Sequence, residues 1–340
     1  MTQMRAVLVK NGKSDSARDL YIGETDRPEL KNDEVLVQVK AFGLNRMDIL
    51  QRQGLYPLPP GVTKILGVEF SGIVVESKGS KFKKGDEVFG LAYGGAYAEY
   101  IAVAEGMVTK KPADVSWTQA ASIPENWLTA YQALYLIADT QPGASILIHA
   151  GASGVGLAAI QLAKTFGAGK IFATAGTADK CKFVEQHGAT RCINYKEVED
   201  FASEILKDTD NAGVSVIVDF VGQNYWDKNL KVLARDGRMV MLGTLSGGKT
   251  KGPTDISPIL FKRLRIEGTT LRSRSLEYQS NLLQQFSEKA LDKLFHKCAN
   301  GTGEGLDLVI HKVYNWNDIA EAHEEMESAQ NIGKIVVEIK

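Results

Sequence analysis

The stretch HAGASGVG, residues 149–156, holds the residue types in the middle of this chain that are best suited to chemistry. Ser153 among glycines could be a nucleophile on a tight strand-to-helix turn, as in the hydrolase pattern G-x-S-x-G. Alternatively, the glycines could let the backbone approach the phosphates of a dinucleotide, as in G-x-G-x-x-G. In that second arrangement the free N–H groups of the first helical turn face the pyrophosphate.

The spacing of the glycines favours the phosphate-binding interpretation. Gly151, Ser153 and Gly156 occupy the three positions of G-x-G-x-x-G, with serine replacing the middle glycine and Gly154 beside it. The apolar run SILIHA precedes the turn, and GLAAIQLAK follows it with apolar residues at helical spacing. A strand, a glycine turn and a helix in this order predict a dinucleotide site.

The two rival interpretations of the turn are weaker. A nucleophile elbow requires glycine where this chain has Val155, and a triad also requires an acid and a histidine further along the chain. His311 and His323 follow the turn, but both lie in ordinary strand or helix patterns. The third possibility is a glycine turn that serves packing alone.

The elements around this turn predict two domains. The first ~125 residues are short strand-like runs separated by glycine, with one early helix in NRMDILQRQG. From about Glu125 onward, helices of ~10–15 residues alternate with apolar strands, which predicts a parallel sheet covered on both faces. After a long helical stretch starting at Leu276, the final strand-helix-strand could extend that sheet or return to the first domain.

The end of the second strand of the alternating region bears on the choice of cofactor. NAD-binding sheets place an acid there for the ribose diol, about 20 residues beyond the glycines. Here the strand ends in Ala175-Gly176-Thr177, Lys180 follows within a turn, and Tyr195 ends the next strand. Asp179 is interpreted as a first-turn helix residue that complements the helix dipole. A cation and hydroxyl groups in place of an acid favour NADPH.

Composition excludes several classes of protein. The chain has 340 residues, 44% hydrophobic and 24% charged, with a net charge of −1. A chain with this net charge lacks the excess of positive charge that is typical of nucleic-acid-binding proteins. No apolar run approaches the ~20 residues that span a membrane. The three cysteines, Cys181, Cys192 and Cys298, lack C-x-x-C spacing, which is typical of a reducing compartment. We therefore expect a cytoplasmic protein.

The sequence predicts no metal site. Residues 1–148 contain neither histidine nor cysteine, and His323 lacks the second histidine of H-E-x-x-H. The remaining histidines are scattered and are interpreted as packing or surface residues: His149, His187, His296 and His311.

Over nearly its whole length the chain resembles the zinc-independent quinone oxidoreductases of the medium-chain dehydrogenase/reductase superfamily. The segments QRQGLYPLPPG, IPENWLTAYQ and LFKR are most similar to the tumour-suppressor-induced quinone oxidoreductase branch, with zeta-crystallin more distant. Zinc-dependent relatives carry cysteine at Asn45 and histidine at Val68, and this chain has neither. The other matching segments are ILGVEFSGIVVE, GDEVFGLAYGGAYAEY, AASIPENWLTAYQAL, ILIHAGASGVGLAAIQLAK, INYK and NIGKIV.

The resemblance implies an α/β fold: a Rossmann doubly wound parallel sheet plus a β-rich GroES-like catalytic domain. The expected boundaries are 1–126 and 270–340 for the discontinuous catalytic domain and 127–269 for the NADPH-binding domain. The last ~70 residues then return to the first domain, and the substrate cleft lies between the domains. Family members are commonly dimers joined through sheet edges, and RMVMLG is a plausible edge strand.

The resemblance also implies roles for individual residues. Asn45 and Tyr56 should line the quinone side, with Asn45 donating to the acceptor oxygen and Tyr56 acting as a weak acid. The cofactor residues are expected along the second domain and near the C-terminus: Thr129, Gly151, Ser153, Gly154, Val155, Gly156, Gly176, Thr177, Lys180, Tyr195, Gly243, Thr244, Leu245, Asn331 and Lys334.

The expected activity is NADPH-dependent reduction of a small quinone or similarly activated enone by a homodimer. The transfer is of a hydride or of single electrons, in a metal-free cleft. Two alternatives remain: an enoyl-thioester or enone reductase of the same superfamily, and an NADPH-binding regulatory, structural or RNA-interacting protein with little turnover. The near-neutral net charge weakens the case for RNA.

Overall fold

The computed structural model describes residues 2–250, 252–295 and 305–340. His296 and Cys298 lie outside the described residues, as does the predicted end of the long helical stretch near Gly301. The chain divides into two compact units, Met1–Leu128 with Leu271–Lys340, and Thr129–Thr270. The sequence analysis placed the domain boundaries between residues 126 and 127 and between residues 269 and 270.

The bounds of the elements are as follows. The strands are β1 (Gln3–Val9), β2 (Leu20–Asp26), β3 (Glu34–Gly43), β4 (Glu69–Ser77), β5 (Glu87–Leu91), β6 (Tyr100–Ala104), β7 (Val108–Lys110), β8 (Ile146–Ile148), β9 (Ile171–Ala175), β10 (Arg191–Asn194), β11 (Val214–Asp219), β12 (Leu233–Met241), β13 (Arg265–Gly268), β14 (Ile310–Asn315) and β15 (Lys334–Glu338). The α-helices are α1 (Arg46–Arg52), α2 (Trp117–Ala121), α3 (Pro124–Tyr131), α4 (Gly154–Thr165), α5 (Ala178–Gln186), α6 (Phe201–Asp208), α7 (Trp226–Val232), α8 (Ser257–Phe261), α9 (Leu276–Phe286) and α10 (Ile319–Glu327). Short 3₁₀ turns span Lys10–Gly12, Ala17–Asp19, Glu105–Met107 and Trp316–Asp318, and π-helical turns span Gln132–Ile137 and Ser287–Leu291.

The first unit is built on a β-sheet whose strands run in the order β14-β15-β3-β4-β5-β7, with β6 also paired to β3. β15 pairs parallel with β14 and antiparallel with β3. The C-terminal strand-helix-strand therefore returns to the first unit, as the resemblance implied. The core of this unit contains the fully buried Phe42, Phe70 and Trp316. β2 was not predicted; it pairs antiparallel with β1 in a separate two-stranded sheet.

The second unit contains a parallel sheet in the order β10-β9-β8-β11-β12-β13. The strand β11, sequence VSVIVD, is buried almost throughout, as expected for a strand covered on both faces. Helices α4 to α7 lie between successive strands of this sheet along the chain. The predicted α/β fold, with a parallel sheet in one domain and a separate β-rich domain, is confirmed.

The predicted edge strand is wrong. The segment RMVMLG belongs to β12, which pairs with β11 on one side and with β13 on the other. The edge strand on this side of the sheet is β13, whose residues Arg265 to Gly268 pair with Arg238 to Met241, and β10 forms the other edge. The sequence RIEG of β13 is short and half charged, so its pattern did not predict a strand.

No helix in the described ranges combines the length and the apolar character needed to cross a membrane.

Candidate active site

The glycine turn connects β8 to α4, and Ser153 is the N-cap of that helix. Its Oγ accepts a hydrogen bond of 3.0 Å from the N–H of Gly156. The cap leaves the other first-turn N–H groups of α4, those of Gly154 and Val155, without partners inside the helix. Ser153 therefore ends the turn and orients the donor end of a helix, which is the geometry that binds phosphate.

Two glycines allow the turn to pack closely. A Cβ on Gly156 would lie 2.4 Å from the carbonyl oxygen of Ala150, and one on Gly151 would lie 2.9 Å from the Cβ of Ala173. Both distances are too short for real carbon contacts, so only glycine fits. The predicted close approach of helix and strand is present at these two positions.

The turn follows β8, the strand at which the chain changes the side of the sheet on which it adds new strands. From β8 the chain proceeds to β9 and β10 on one side, and then crosses to β11, β12 and β13 on the other. Ligands of open parallel sheets bind at the carboxyl ends of the strands at this switch point. The order of the strands and the capped glycine turn together define a dinucleotide-binding unit.

His149 lies beneath the turn and is fully buried. Its Nε2 lies 2.8 Å from Oδ1 of Asn229, and its Nδ1 lies 3.0 Å from Oγ1 of Thr174. Burial lowers the pKa of His149, with the charge of Asp219 acting in the opposite direction. The ring is therefore neutral and ties β8 to β9 and α7, in agreement with its interpretation as a packing residue.

The end of β9 carries a small corner formed by Gly176, Thr177, Lys180 and Tyr195. A Cβ on Gly176 would lie 2.8 Å from the hydroxyl oxygen of Tyr195, whose side chain is 43% exposed. Thr177 is the N-cap of α5, and its Oγ1 accepts from the N–H of Lys180 at 3.2 Å. The fold therefore brings these four predicted residues together.

Lys196 adds a second cation to this corner. The pKa of Lys180 is lowered, first by partial burial and second by the positive charge of Lys196. Two ammonium groups that repel each other are stabilised when an anion lies between them. Lys196 was not predicted; its position directly after Tyr195 in the segment INYK was the available signal.

The loop after β12 holds Gly243, Thr244 and Leu245. The N–H of Leu245 donates to the carbonyl of Phe220 at 3.0 Å, which joins this loop to the end of β11. The Leu245 side chain is 59% exposed. Thr129 lies in α3 and is buried.

In the first unit, Asn45 and Lys334 meet in a buried polar cluster. Lys334 forms an ion pair with Glu69, and its Nζ donates to Oδ1 of Asn45 at 2.6 Å. The Nδ2 of Asn45 donates to Oε1 of Glu69 at 2.8 Å. Both polar atoms of the Asn45 amide therefore already have partners within the unit. Asn331 donates from Nδ2 to the carbonyl of Gly333 at 2.9 Å.

Two buried carboxyl groups near this cluster were not predicted. Burial, followed by the charge of Glu69, raises the pKa of Glu125 to about 8. Burial also raises the pKa of Asp48 to about 6, although the backbone N–H of Asn45 donates to Asp48 at 2.9 Å. Buried acids give no local sequence pattern, because their environment is set by distant elements.

Tyr56 is half-buried in the loop that follows α1. The guanidinium of Arg272 lies 5.6 Å from the centre of its ring. Burial raises the pKa of Tyr56, and the charge of Glu125 raises it further. Tyr56 is therefore a weaker acid than an exposed tyrosine, and Arg272 is a neighbour that sequence reasoning missed.

Within the described ranges, no group of three or more His, Cys, Asp or Glu side chains is arranged to hold a metal ion. The ring of His187 stacks on Phe183 at 4.1 Å, and Nε2 of His311 lies 2.8 Å from Oε1 of Glu325. His323 is fully buried. The absence of metal from the reaction stays a prediction.

Comparison with known proteins identifies the family. Residues 31–113 match the alcohol dehydrogenase GroES-like domain, and residues 154–288 match the zinc-binding dehydrogenase family. The chain is 32% identical to a human quinone oxidoreductase over 309 residues, which cover 88% of this chain and 87% of that protein. It is 35% identical to quinone oxidoreductase 1 of Escherichia coli (strain K12) over 304 residues, covering 88% and 89%.

Solved structures agree with these relatives. The quinone oxidoreductase of Pseudomonas syringae pv. Tomato DC3000 aligns with a TM-score of 0.83 at 29% identity, covering 98% of this chain and 99% of that one. The JamJ enoyl reductase aligns with a TM-score of 0.83 at 27% identity, covering 100% of both chains. The chain belongs to the quinone oxidoreductase family of the medium-chain dehydrogenase/reductase superfamily. It is an oxidoreductase of a superfamily that uses a nicotinamide cofactor.

Proposed function

We propose that this protein is an NADPH-dependent quinone reductase. NADPH and a proton reduce the quinone to its hydroquinone, and NADP⁺ is released. The observation that carries the preference for NADPH is the corner at the end of β9. There Lys180 and Lys196 lie close enough to repel each other, beside Gly176 and Tyr195.

The residues of the second unit fit a bound dinucleotide. The donor end of α4, capped by Ser153, suits the pyrophosphate, and the exposed Tyr195 packed against Gly176 suits the adenosine ribose. A 2′-phosphate there would offset the mutual repulsion of Lys180 and Lys196, whereas NADH would leave that repulsion in place. When bound, the cofactor supplies the hydride, and these side chains hold and orient it.

We further propose Thr129 and the Gly243–Leu245 loop of the second unit, and Asn331 and Lys334 of the first unit, as cofactor-binding residues. Leu245 is suited to an apolar contact, because its side chain is exposed on a loop that is fixed to β11. Lys334 is 4% exposed and ion-paired with Glu69, and it also fixes the amide of Asn45 on the substrate side.

On the substrate side we propose Tyr56 and Asn45. The half-buried Tyr56 ring offers a flat apolar surface for a planar quinone, with a hydroxyl at its edge. Asn45 donates to Glu69, so a hydrogen bond to the acceptor oxygen would require this amide to exchange partners. A reduced quinone takes up protons readily, and a strong general acid is therefore not obligatory.

A steady-state assay tests the proposal. NADPH and NADH are each offered with a panel of quinones, and oxygen uptake is monitored to detect single-electron products. We expect turnover with NADPH and much less turnover with NADH. Tight binding of NADPH without turnover against any quinone would contradict the proposed function and would favour a regulatory role.

Enoyl reduction is the second candidate, because the solved structures that align with this chain include the CurK and JamJ enoyl reductases. The same cofactor site would serve both activities, and the acceptor distinguishes them. We expect quinones to be reduced faster than crotonyl-type thioesters at equal concentration. The reverse order of rates would assign the enoyl activity.

We also propose that the protein is a homodimer joined through β13, one edge of the parallel sheet. Ile256, Leu260 and Phe261, which precede β13 along the chain, expose 64%, 72% and 70% of their side chains. A second copy that continues the sheet would cover both the unpaired backbone and this apolar patch. Sedimentation should show a dimer, and Leu260→Asp should shift it towards monomer. A wild-type protein that sediments as a monomer would refute this assignment.

A further inference from the structure

We propose that Arg272 donates a hydrogen bond from Nη2 to the carbonyl oxygen of the acceptor and stabilises the negative charge that reduction places there. This proposal rests on the proposed reductase function. The site it describes lies entirely within the first unit.

Arg272 is held rigidly from two sides. Its side chain is buried, and its Nε donates to the carbonyl of Tyr93 at 2.6 Å. Its Nη1 donates to Oε1 of Gln51 at 2.7 Å, and Nε2 of Gln51 in turn donates to the carbonyl of Lys64 at 3.1 Å. The plane of the guanidinium is therefore fixed before any ligand arrives.

The third nitrogen, Nη2, is buried and has no hydrogen-bond partner. A buried donor on a charged group costs free energy when it is left unpaired. The groups that bind Arg272 are neutral, a backbone carbonyl and an amide, so no carboxylate contact neutralises its charge at those positions. A buried charged donor without a partner calls for an explanation, and an electron-rich oxygen is the ligand that it fits.

Two acidic residues, Asp48 and Glu125, lie near Arg272, but neither pairs with its Nη2. Asp48 attracts Arg272 but accepts its own hydrogen bonds from the N–H groups of Asn45 and Gly67, at 2.9 and 3.1 Å. Glu125 also attracts Arg272, but its raised pKa of about 8 keeps most of it protonated near neutral pH. Neither acid accepts a hydrogen bond from Nη2, so this donor stays available to a ligand.

Two neighbours show where the ligand would lie. The ring of Tyr56 is 5.6 Å from the guanidinium, and a Cβ on Gly94 would lie 3.1 Å from Nη2. The same Cβ would lie 3.2 Å from Cγ1 of Val62, in the loop that follows Tyr56. Because Nη2 is shielded from solvent, an acceptor would reach it after the covering side chains move. A planar ring against Tyr56 then directs its carbonyl oxygen towards Nη2.

The chemistry requires such a donor. When a hydride adds to the acceptor, the electron pair of the hydride produces a negative charge on the carbonyl oxygen. This oxygen later takes a proton from solvent. Rigid donors aimed at such an oxygen typically change rates by about 10²–10³-fold. Arg272 is therefore proposed as a catalytic residue, whereas Gln51 is a positioning residue that acts through it.

Gly94→Ala is the sharpest test, because it places a methyl group against Nη2 and leaves both anchoring bonds of Arg272 intact. The φ angle of Gly94 lies outside the left-handed region, so the backbone accepts alanine, and its Cβ would also lie 3.3 Å from the carbonyl oxygen of Ile65. We expect Gly94→Ala to lower kcat/KM for quinones at least tenfold, and Arg272→Met to lower it ~100-fold or more. The matched control is Arg274→Met, since the Arg274 guanidinium stacks on Tyr278 instead. Wild-type kcat/KM in Gly94→Ala would overturn the proposal.

Binding of 4-nitrophenol to the full-length protein gives a second readout that needs no turnover. We expect the wild type to bind the phenolate more tightly than the neutral phenol, and Arg272→Met to lose this preference while retaining its NADPH affinity. An unchanged preference in Arg272→Met would overturn the role of Arg272. If the wild type prefers the phenolate but reduces no quinone, the proposed function is refuted, whereas Arg272 is still supported as a binding site for an anionic oxygen.

Discussion

Replacing Lys180 by alanine should weaken the binding of NADPH and leave that of NADH nearly unchanged. Lys180 is half-buried at the start of α5, and partial burial followed by the charge of Lys196 lowers its pKa. A 2′-phosphate between the two lysines would accept a charge-assisted hydrogen bond from Lys180. NADH has no group at that position.

The magnitude follows from the partial exposure of this corner. A hydrogen bond to a charged group contributes about 1.5–3 kcal/mol, which corresponds to a loss of affinity of roughly 10- to 150-fold. Lys196 remains in the variant and solvent screens the site, so we expect the lower half of that range. The loss should shrink as the salt concentration rises.

The assay is a fluorescence titration of each reduced cofactor into wild-type and variant protein. Lys182→Ala is the matched control, because Lys182 is an exposed lysine on the same helix. An equal loss of affinity for NADPH and NADH, or no loss for either, would refute the assignment of the 2′-phosphate to this corner.

Three further predictions concern other parts of the site. Tyr56→Phe should retain most quinone activity while Tyr56→Ala raises KM, and complete loss in the Phe variant would instead make Tyr56 an obligatory proton donor. Ser153→Ala should lose ~1 kcal/mol of stability in urea unfolding, because the N-cap of α4 is removed. It should keep measurable turnover, and stoichiometric labelling of wild-type Ser153 by a fluorophosphonate would contradict its assignment as a cap. The pKa of Glu125, raised from 4.5 to about 8, means that the native state holds this proton more tightly than the unfolded chain. Its contribution to stability is complete below pH 4.5 and is lost as pH rises through about 8, by up to ~1.4 kcal/mol per pH unit. Glu125→Gln should flatten that slope in urea unfolding, and an unchanged slope would show that Glu125 is not the titrating group.

Much of the second unit could be predicted from the sequence, because its signals are local. The alternation of strands and helices, the glycine turn and the cap at Ser153 each depend on residues a few positions apart. Capping and strand burial act over that same range. The corner of Gly176, Thr177, Lys180 and Tyr195 was also predictable, since each residue lies at the end of a strand or the start of a helix. Parallel strands bring those ends to one edge of the sheet.

The substrate side could not be predicted in the same way. Nη1 of Arg272 meets Gln51 across a separation of 221 residues, and Nζ of Lys334 meets Asn45 across 289. The edge position of β13 likewise depends on pairing with β12 and not on its own short, charged sequence. Sequence alone determined the capped glycine turn and the four residues Gly176, Thr177, Lys180 and Tyr195, since periodicity, capping and strand ends encode them locally. Only the tertiary structure decided which polar groups are buried together, because desolvation and long-range pairing exist only once distant segments pack.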